Sequence, residues 1–368
     1  MGLKAQAERL RSRIESALGA VLDHGQYVMG PEVGTLERRL AERGGVAEAV
    51  AVASGTDALV MALMAEGIGP GDAVLVPAFT FTATAEVVLL VGATPVFVDV
   101  DERSFNLDPA GLEQKLAELK GSSLRPRAVI VVDLFGRPAD YDAIGAIAAR
   151  EGLLVIDDAA QGFGAATGAG PVGSLAPVTA TSFFPAKPLG GYGDGGAVLT
   201  DDPERAAVLR SIRQHGEGAE RYEIVRVGLN GRLDTFQAAV LLVKLEVFDE
   251  ELAARDRVAA TYTERLADAV ACPALGPGER GAWAQYTIQV EERDRVRAAL
   301  QEDGVPTAVY YPKPMHLQTA YREHGDGPGS LPASERLSAR VLSLPLHPYL
   351  NEAEIEHVCA AVRRAVGA

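Results

Sequence analysis

The chain has 368 residues with 35 basic and 50 acidic side chains, a formal charge of −15, which excludes the basic surface that a main partner of nucleic acid needs. Hydrophobic residues make up 48 % and charged ones 23 %, ordinary for a globular protein and, at this length, enough for two domains. Two cysteines, Cys272 and Cys359, exclude a disulfide scaffold or a cysteine metal cluster. No apolar run reaches membrane-spanning length, and "MGLKAQAERLRSRIESAL" reads as an amphipathic helix, not a leader. These features predict a cytoplasmic enzyme of small molecules, with no nucleic-acid, membrane or metal partner.

In chain order, strand patterns fall at "AVAVA" (49–53), "AVLVPAF" (73–79), "TPVFVDV" (94–100), "AVIVVDLFG" (128–136), "LLVIDDAA" (153–160), "TATSFF" (179–184) and "GAVLTD" (196–201). Helical patterns such as "TDALVMALMAEG" (56–67) and "DYDAIGAIAAREG" (140–152) lie between many of them. Continuous apolar strands alternating with helices predict an α/β fold, a mostly parallel sheet covered on both faces. The last two strands have no helix between them and are expected to be antiparallel. Residues 233–270 read as one long helical stretch, straight or kinked. After a Pro/Gly-rich loop at 272–283 comes an α+β segment: strand "QYTIQV", helix "ERDRVRAALQEDG", short strand "TAVYY" and a last helix from about Glu352. The boundary near Phe248 predicts a large domain over 1–248 and a small one over 249–368.

Four clusters stand where strands end, the usual place for ligands in such sheets. In "ASGTDAL", Gly55 and the amides of Thr56 and Asp57 open a helix toward an anion; a plain cap by Ser54 or Thr56 explains the same residues. "VIDDAAQGFGA" places Asp157, Asp158 and Gln161 at a strand end, where adjacent acids are costly unless a cation pairs with them. They also read as an acidic helix start. In "SFFPAKPLGGYGDGG", prolines flank Lys187 and glycines follow it. This run is not G-x-G-x-x-G and precedes a strand, which argues against a dinucleotide loop. "RVGLNGRLD" holds Asn230 and Arg232 before a helix. An amine, an upstream buried acid and a phosphate cradle form a coherent set for pyridoxal phosphate.

Taken with "PAFTFTATAEVV", "NLDPAGLE", "RLDTFQAA" and "YYPKPMHLQTAY", these segments resemble, over essentially the whole chain, the DegT/StrS sugar-nucleotide aminotransferases of the aspartate aminotransferase fold (fold type I). The resemblance implies a large domain with a seven-stranded, mostly parallel sheet between helices and a smaller C-terminal α+β domain. It implies pyridoxal 5′-phosphate, with pyridoxamine phosphate formed in the half-reaction. It assigns Lys187 as the Schiff-base lysine and proton shuttle, and Asp158 as the acid on the pyridine nitrogen. Gln161 and Phe81 would flank the ring, although Phe81 also reads as an ordinary core residue. Gly55, Thr56 and Ser182 would hold the phosphate, and Asn230 would reach the phosphate in a partner subunit, making a homodimer with shared sites.

The implied chemistry moves the amino group of L-glutamate, leaving 2-oxoglutarate, to a keto-sugar on a nucleoside diphosphate. A dehydrating branch carries histidine in the lysine slot; Lys187 argues for transamination over that branch, and the full residue set argues against a silent homologue. "VLDHGQYVMGPEV", "AQYT" and "GVPTAVYYPKP" look most like enzymes acting at C3, above all the UDP-2-acetamido-2-deoxy-3-oxo-glucuronate aminotransferases of surface-polysaccharide pathways; amination at C4 is the alternative. Arg232 would suit a sugar carboxylate, or it pairs with Asp234 or the dimer partner. Tyr310, before Tyr311, stands where those enzymes typically have histidine, so a different 3-keto-sugar, including a dTDP-linked 6-deoxy one, fits as well. Tyr27 and Met29 match a loop closing over the sugar. His215 and His316 are candidates to line the pocket, or solvated loop residues.

Overall fold

The computed structural model describes residues 2–220 and 222–368. Two helices open the chain, α1 (Leu3–His24) and α2 (Pro31–Gly44). Strands and helices then alternate: β1 (Glu48–Val52), α3 (Gly55–Ala65), β2 (Asp72–Pro77), α4 (Ala83–Leu90), β3 (Thr94–Val98), α5 (Pro109–Leu119), β4 (Arg125–Val132), α6 (Tyr141–Glu151) and β5 (Leu154–Asp158). A hairpin of β6 (Ala166–Thr167) and β7 (Gly170–Pro171) precedes β8 (Val178–Ser182), β9 (Gly196–Thr200) and α7 (Pro203–Arg213). The rest comprises α8 (Thr235–Leu245), α9 (Phe248–Leu266), β10 (Tyr286–Gln289), α10 (Arg293–Glu302), α11 (Pro332–Arg340), β11 (Val341–Leu344) and α12 (Glu352–Val366).

Seven strands form one sheet in the order β1-β9-β8-β5-β4-β2-β3. From β8 through β5, β4 and β2 to β3 the pairs are parallel. β8–β9 and β9–β1 are antiparallel, as the missing helix between 184 and 196 requires. Successive side chains point to opposite faces of a strand, and both faces here are covered. Val50, Val52, Val74, Val76 and Ile130 pack under α3, α4 and α7. Ala49 and Ala51 meet α2 and α8 on the other side, while Leu75, Val129 and Val131 meet α5 and α6. That two-sided burial produces the unbroken apolar runs in the sequence. A further core joins α9 from Val258 onward to β10, α10, β11 and α12.

In the C-terminal third one expectation is sharpened and one changes. The stretch 233–270 is two helices, broken between Leu245 and Phe248, where Val247 leaves helical geometry at φ −111° and ψ 1°. Phe248 turns into the large core and stacks on Phe163 with centroids 6.1 Å apart, whereas Val258, Tyr262 and Leu266 serve the second core. One straight axis cannot aim at both. "TAVYY" forms a single bridge, Ala308 to Ser343, and no strand. The antiparallel partner of β10 is β11, a four-residue run that follows α11 directly and carries no turn signal of its own.

Candidate active site

The site lies at the carboxyl ends of β5 and β8 and at the start of α3. Ser54 caps that helix, its Oγ accepting from Asp57 N at 3.0 Å. The cap and the anion cradle therefore coexist, with a correction to the expected set. The Asp57 amide is taken by Ser54, which leaves the first-turn amides of Gly55 and Thr56 to face an anion. Burial raises the pKa of the Asp57 carboxyl, opposed by the Ser54 hydrogen bond. Gly55 is required by close approach, since a Cβ there would sit 2.7 Å from Ser182 Cβ. The structure thus brings Ser182, 127 positions later by numbering, against the helix start.

Asp158 ends β5 with only 5 % of its surface exposed. Its Oδ2 accepts from Thr84 Oγ1 at 2.8 Å, and its Oδ1 from Ala160 N at 3.3 Å. Burial raises its pKa, and Thr84 first, then Lys187 and Ala160, oppose the rise. Lys187 mirrors it: burial lowers the ammonium pKa, and Asp158 draws it back. Among the described residues the Lys187 amine has no hydrogen bond or ion pair of its own. Its backbone is fixed by Lys187 N donating to Phe184 O at 2.8 Å. The glycine run closes this turn, because a Cβ on Gly190 would meet Pro185 O at 2.4 Å. Lys244, buried on α8, donates to Gly190 O at 2.6 Å and pins the far side of the loop.

Gln161 bridges two elements. Its Oε1 accepts from Phe135 N at 2.7 Å, and its Nε2 donates to Tyr311 Oη at 3.3 Å. Burial raises the Tyr311 pKa. Phe81 is half exposed, not a core residue, and lies 6.2 Å from the Tyr311 ring; Tyr310 packs 5.8 Å from the same ring. A cleft of about 250 Å³ beside Lys187 is lined by Tyr310, Gln285 and Arg255.

The remaining candidates gather on the segment beside β1. Ala53 N donates to Gly231 O at 2.9 Å, and Val52 bridges Arg232. Asn230 is exposed there. Arg232 forms no ion pair with Asp234 or any other described residue, and its Nε is buried without a hydrogen-bond partner. Tyr27 stacks on Phe236 at 5.6 Å, and the flanking loop holds Met29 at φ 55°. His215 is exposed at φ 59°. His316 departs from expectation: it is 1 % exposed, with Nε2 at 3.2 Å from Glu335 Oε1. It is packed into the fold and is no solvated loop residue. Thr84 and Lys244 went unread in the sequence. The threonine run "TFTATAE" was a signal for the first, while Lys244 lies within an apolar helix that gave none.

An amine without a partner, a buried acid facing it and a cradle too tight for a side chain fit pyridoxal 5′-phosphate. Its aldehyde, ring nitrogen and phosphate need those three groups. On this sheet they define a pyridoxal-phosphate enzyme of fold type I. The chain belongs to the DegT/DnrJ/EryC1/StrS aminotransferase family, whose model matches residues 8–363. It is a transaminase, and solved members hold the cofactor in its pyridoxal or pyridoxamine form. It is 47 % identical over 361 residues to the UDP-2-acetamido-2-deoxy-3-oxo-D-glucuronate aminotransferase of Pseudomonas aeruginosa, covering 98 % of each chain. It is 41 % identical to a UDP-N-acetyl-3-dehydro-α-D-glucosamine 3-aminotransferase of Acidithiobacillus ferrooxidans, over 99 % of this chain and 96 % of that one. Among solved structures, a family aminotransferase from Brucella abortus superimposes with a TM-score of 0.98 at 52 % identity, covering 100 % and 99 % of the two chains.

Replacing Gly55 by alanine is expected to push Ser182 away and weaken cofactor retention by about tenfold to a hundredfold, since a displaced anion contact costs 1–3 kcal/mol. Titration of apoenzyme with pyridoxal phosphate reads this directly; wild-type affinity would remove Gly55 and Ser182 from the cradle.

Proposed function

We propose that this enzyme transfers the amino group of L-glutamate to C3 of a nucleoside-diphosphate 3-keto-sugar, in the cytoplasm, for polysaccharide or glycosylated-metabolite biosynthesis. The observation that carries the reading is the Lys187–Asp158 pair, a partnerless amine and a buried acid that shift each other's protonation. When bound, the cofactor supplies an electron sink for the carbon that gains or loses the amino group. Gly55, Thr56 and Ser182 hold its phosphate, Asp158 its ring nitrogen, and Phe81 and Gln161 its ring. Lys187, its proton affinity lowered by burial, takes the proton from the donor carbon and returns it to the acceptor. Tyr310, Tyr311 and the loop carrying Tyr27 and Met29 shape the sugar subsite, with His215 at its rim. The 3-keto specificity draws support from the two relatives above, both named for amination at that position. Arg232, unpaired with a buried Nε, suits a sugar carboxylate.

The division of the chain at Phe248 belongs to this proposal, as does a homodimer with shared sites. Tyr222, Ile224, Val225 and Val227 are all at least half exposed and lead into exposed Asn230, the kind of apolar rim a second copy covers. Incubating the aminated cofactor form with 3-keto and 4-keto nucleotide sugars tests the specificity. Turnover of the 3-keto compounds alone is expected, and turnover of only 4-keto compounds would overturn it. Co-expressed Lys187→Ala and Asn230→Ala chains test the sharing. Random pairing of the subunits restores about a quarter of wild-type activity if Asn230 serves the partner's site, and none if it serves its own.

A further inference from the structure

Behind Asp158 lie two more carboxylates that no proposed step uses. Asp133 follows β4 and Asp157 precedes Asp158 on β5, and both are 0 % exposed. The strands hold them in place: Val131 pairs with Asp157, Val132 with Asp158, and Asp133 N donates to Asp158 O at 3.2 Å. Asp133 Oδ1 accepts from Ala139 N and from Tyr141 Oη, each at 2.9 Å. Asp157 Oδ2 accepts from Thr179 Oγ1 at 3.1 Å. The other oxygen of each, Asp133 Oδ2 and Asp157 Oδ1, is buried with no donor. Among the described residues no cation forms an ion pair with either, and no cluster of acids and histidines is placed to hold a metal.

Asp133 and Asp157, buried behind Asp158 on the other side of β5, cannot both carry charge when Lys187, the one cation facing any of the three among the described residues, faces only Asp158. We propose that Asp133 and Asp157 share a proton in the folded protein and act as positioning residues for Asp158, leaving it as the fixed anion opposite Lys187. The inference rests on the assignment of Asp158 to the cofactor ring. Every group facing the pair agrees with it. Asp133 meets Asp158 of β5, Tyr141 of α6 and Glu279 of the loop after α9; Glu279 is itself held by Arg137 at 3.1 Å. Asp157 meets Asp133, Asp158 and Tyr141. Burial pushes the Asp133 pKa up to about 7, and burial and then Asp133 raise that of Asp157. Gly162 seals the site, because a Cβ there would lie 2.4 Å from Asp133 Cβ.

The test begins with wild-type protein, so it does not depend on a variant folding. Infrared spectra of the apoenzyme at pH 6 are expected to show the carbonyl stretch of a buried, protonated carboxyl, lost in Asp133→Asn or Asp157→Asn. In holoenzyme, the pH midpoint of the cofactor's visible absorbance is expected to fall by about one unit in the Asp133→Asn/Asp157→Asn double variant, which removes the one negative charge the pair carries, while each single variant keeps that charge and stays near the wild-type midpoint. A purely structural role would not move that midpoint. Absence of the carboxyl band in wild type, or an unmoved midpoint in the double variant, would overturn the proposal. An Asp158→Asn holoenzyme with a wild-type midpoint would instead overturn the ring assignment on which the pair's role depends, while the band would still report the shared proton.

Discussion

Lys187→Ala is expected to lower transamination by on the order of 10⁴-fold or more, because it removes both the amine that bonds the cofactor and the group that moves the proton. The fold should survive. The Lys187 side chain makes no hydrogen bond or ion pair among the described residues, and the loop is held by backbone contacts and by Lys244. The variant's stability also has a predicted signature. Burial lowers the Lys187 pKa below its ordinary value, so between the two values the unfolded chain binds more protons than the folded one. Wild-type apoenzyme therefore gains stability as pH rises through that alkaline window. The alanine variant lacks this gain, and its unfolding midpoint should rise less with pH. Two measurements check the assignment: absorbance of protein incubated with pyridoxal phosphate, and denaturant melts of apoenzyme across the alkaline range. A variant that turns over normally would remove Lys187 from the chemistry.

What the sequence discloses follows from how strongly each feature is over-determined. β2 and β9 are buried at every residue, so their apolar runs can be read with no knowledge of the partner strand. β11 is equally buried but spans four residues directly after a helix, too short for a period to register. The break at Val247, beside the boundary expected near Phe248, carries no local breaker residue. No proline or glycine marks it; two separate cores, one claiming Phe248 and the other Val258, bend the chain between them. The site shows the same division. Lys187 stands out because its loop needs prolines and glycines to turn, a local demand written in local residues. Thr84 and Asp133 reach Asp158 only through the tertiary fold, 74 and 25 positions away by numbering; a threonine run hints at the first, and nothing near Asp133 announces the second. His316 shows the reverse. A polar residue in a loop-like run looks available, yet Glu335 and the surrounding packing bury it.

Asp158→Asn is expected to separate catalysis from stability more cleanly than any other single change. Asparagine keeps the shape and an oxygen for the Thr84 hydroxyl; it removes the charge and puts an amide donor where the other oxygen accepts from Ala160 N at 3.3 Å. Without an anion at the ring nitrogen the cofactor is a weaker electron sink, and kcat should fall by on the order of 10³-fold, the scale of losing one preorganised electrostatic contact. The apoenzyme should move the opposite way. Burial raises the Asp158 pKa above its unfolded value, so the folded state binds more protons than the unfolded state between those two values. The stability present at low pH is therefore lost as pH rises through the folded pKa. The amide does not titrate and escapes that loss, so at pH 8 Asp158→Asn apoenzyme should be at least as resistant to denaturant as wild type. The two should converge, or reverse, as pH falls below the folded-state pKa of Asp158, where both side chains are neutral. Lys187 loses its facing carboxylate in this variant, so its ammonium should release its proton at lower pH than in wild type. Denaturant melts of apoenzyme at pH 4 and pH 8, with single-turnover rates of holoenzyme, read both effects. Loss of activity accompanied by loss of stability at pH 8 would mean that Asp158 is a structural acid, held by Thr84 for the fold and not for the cofactor.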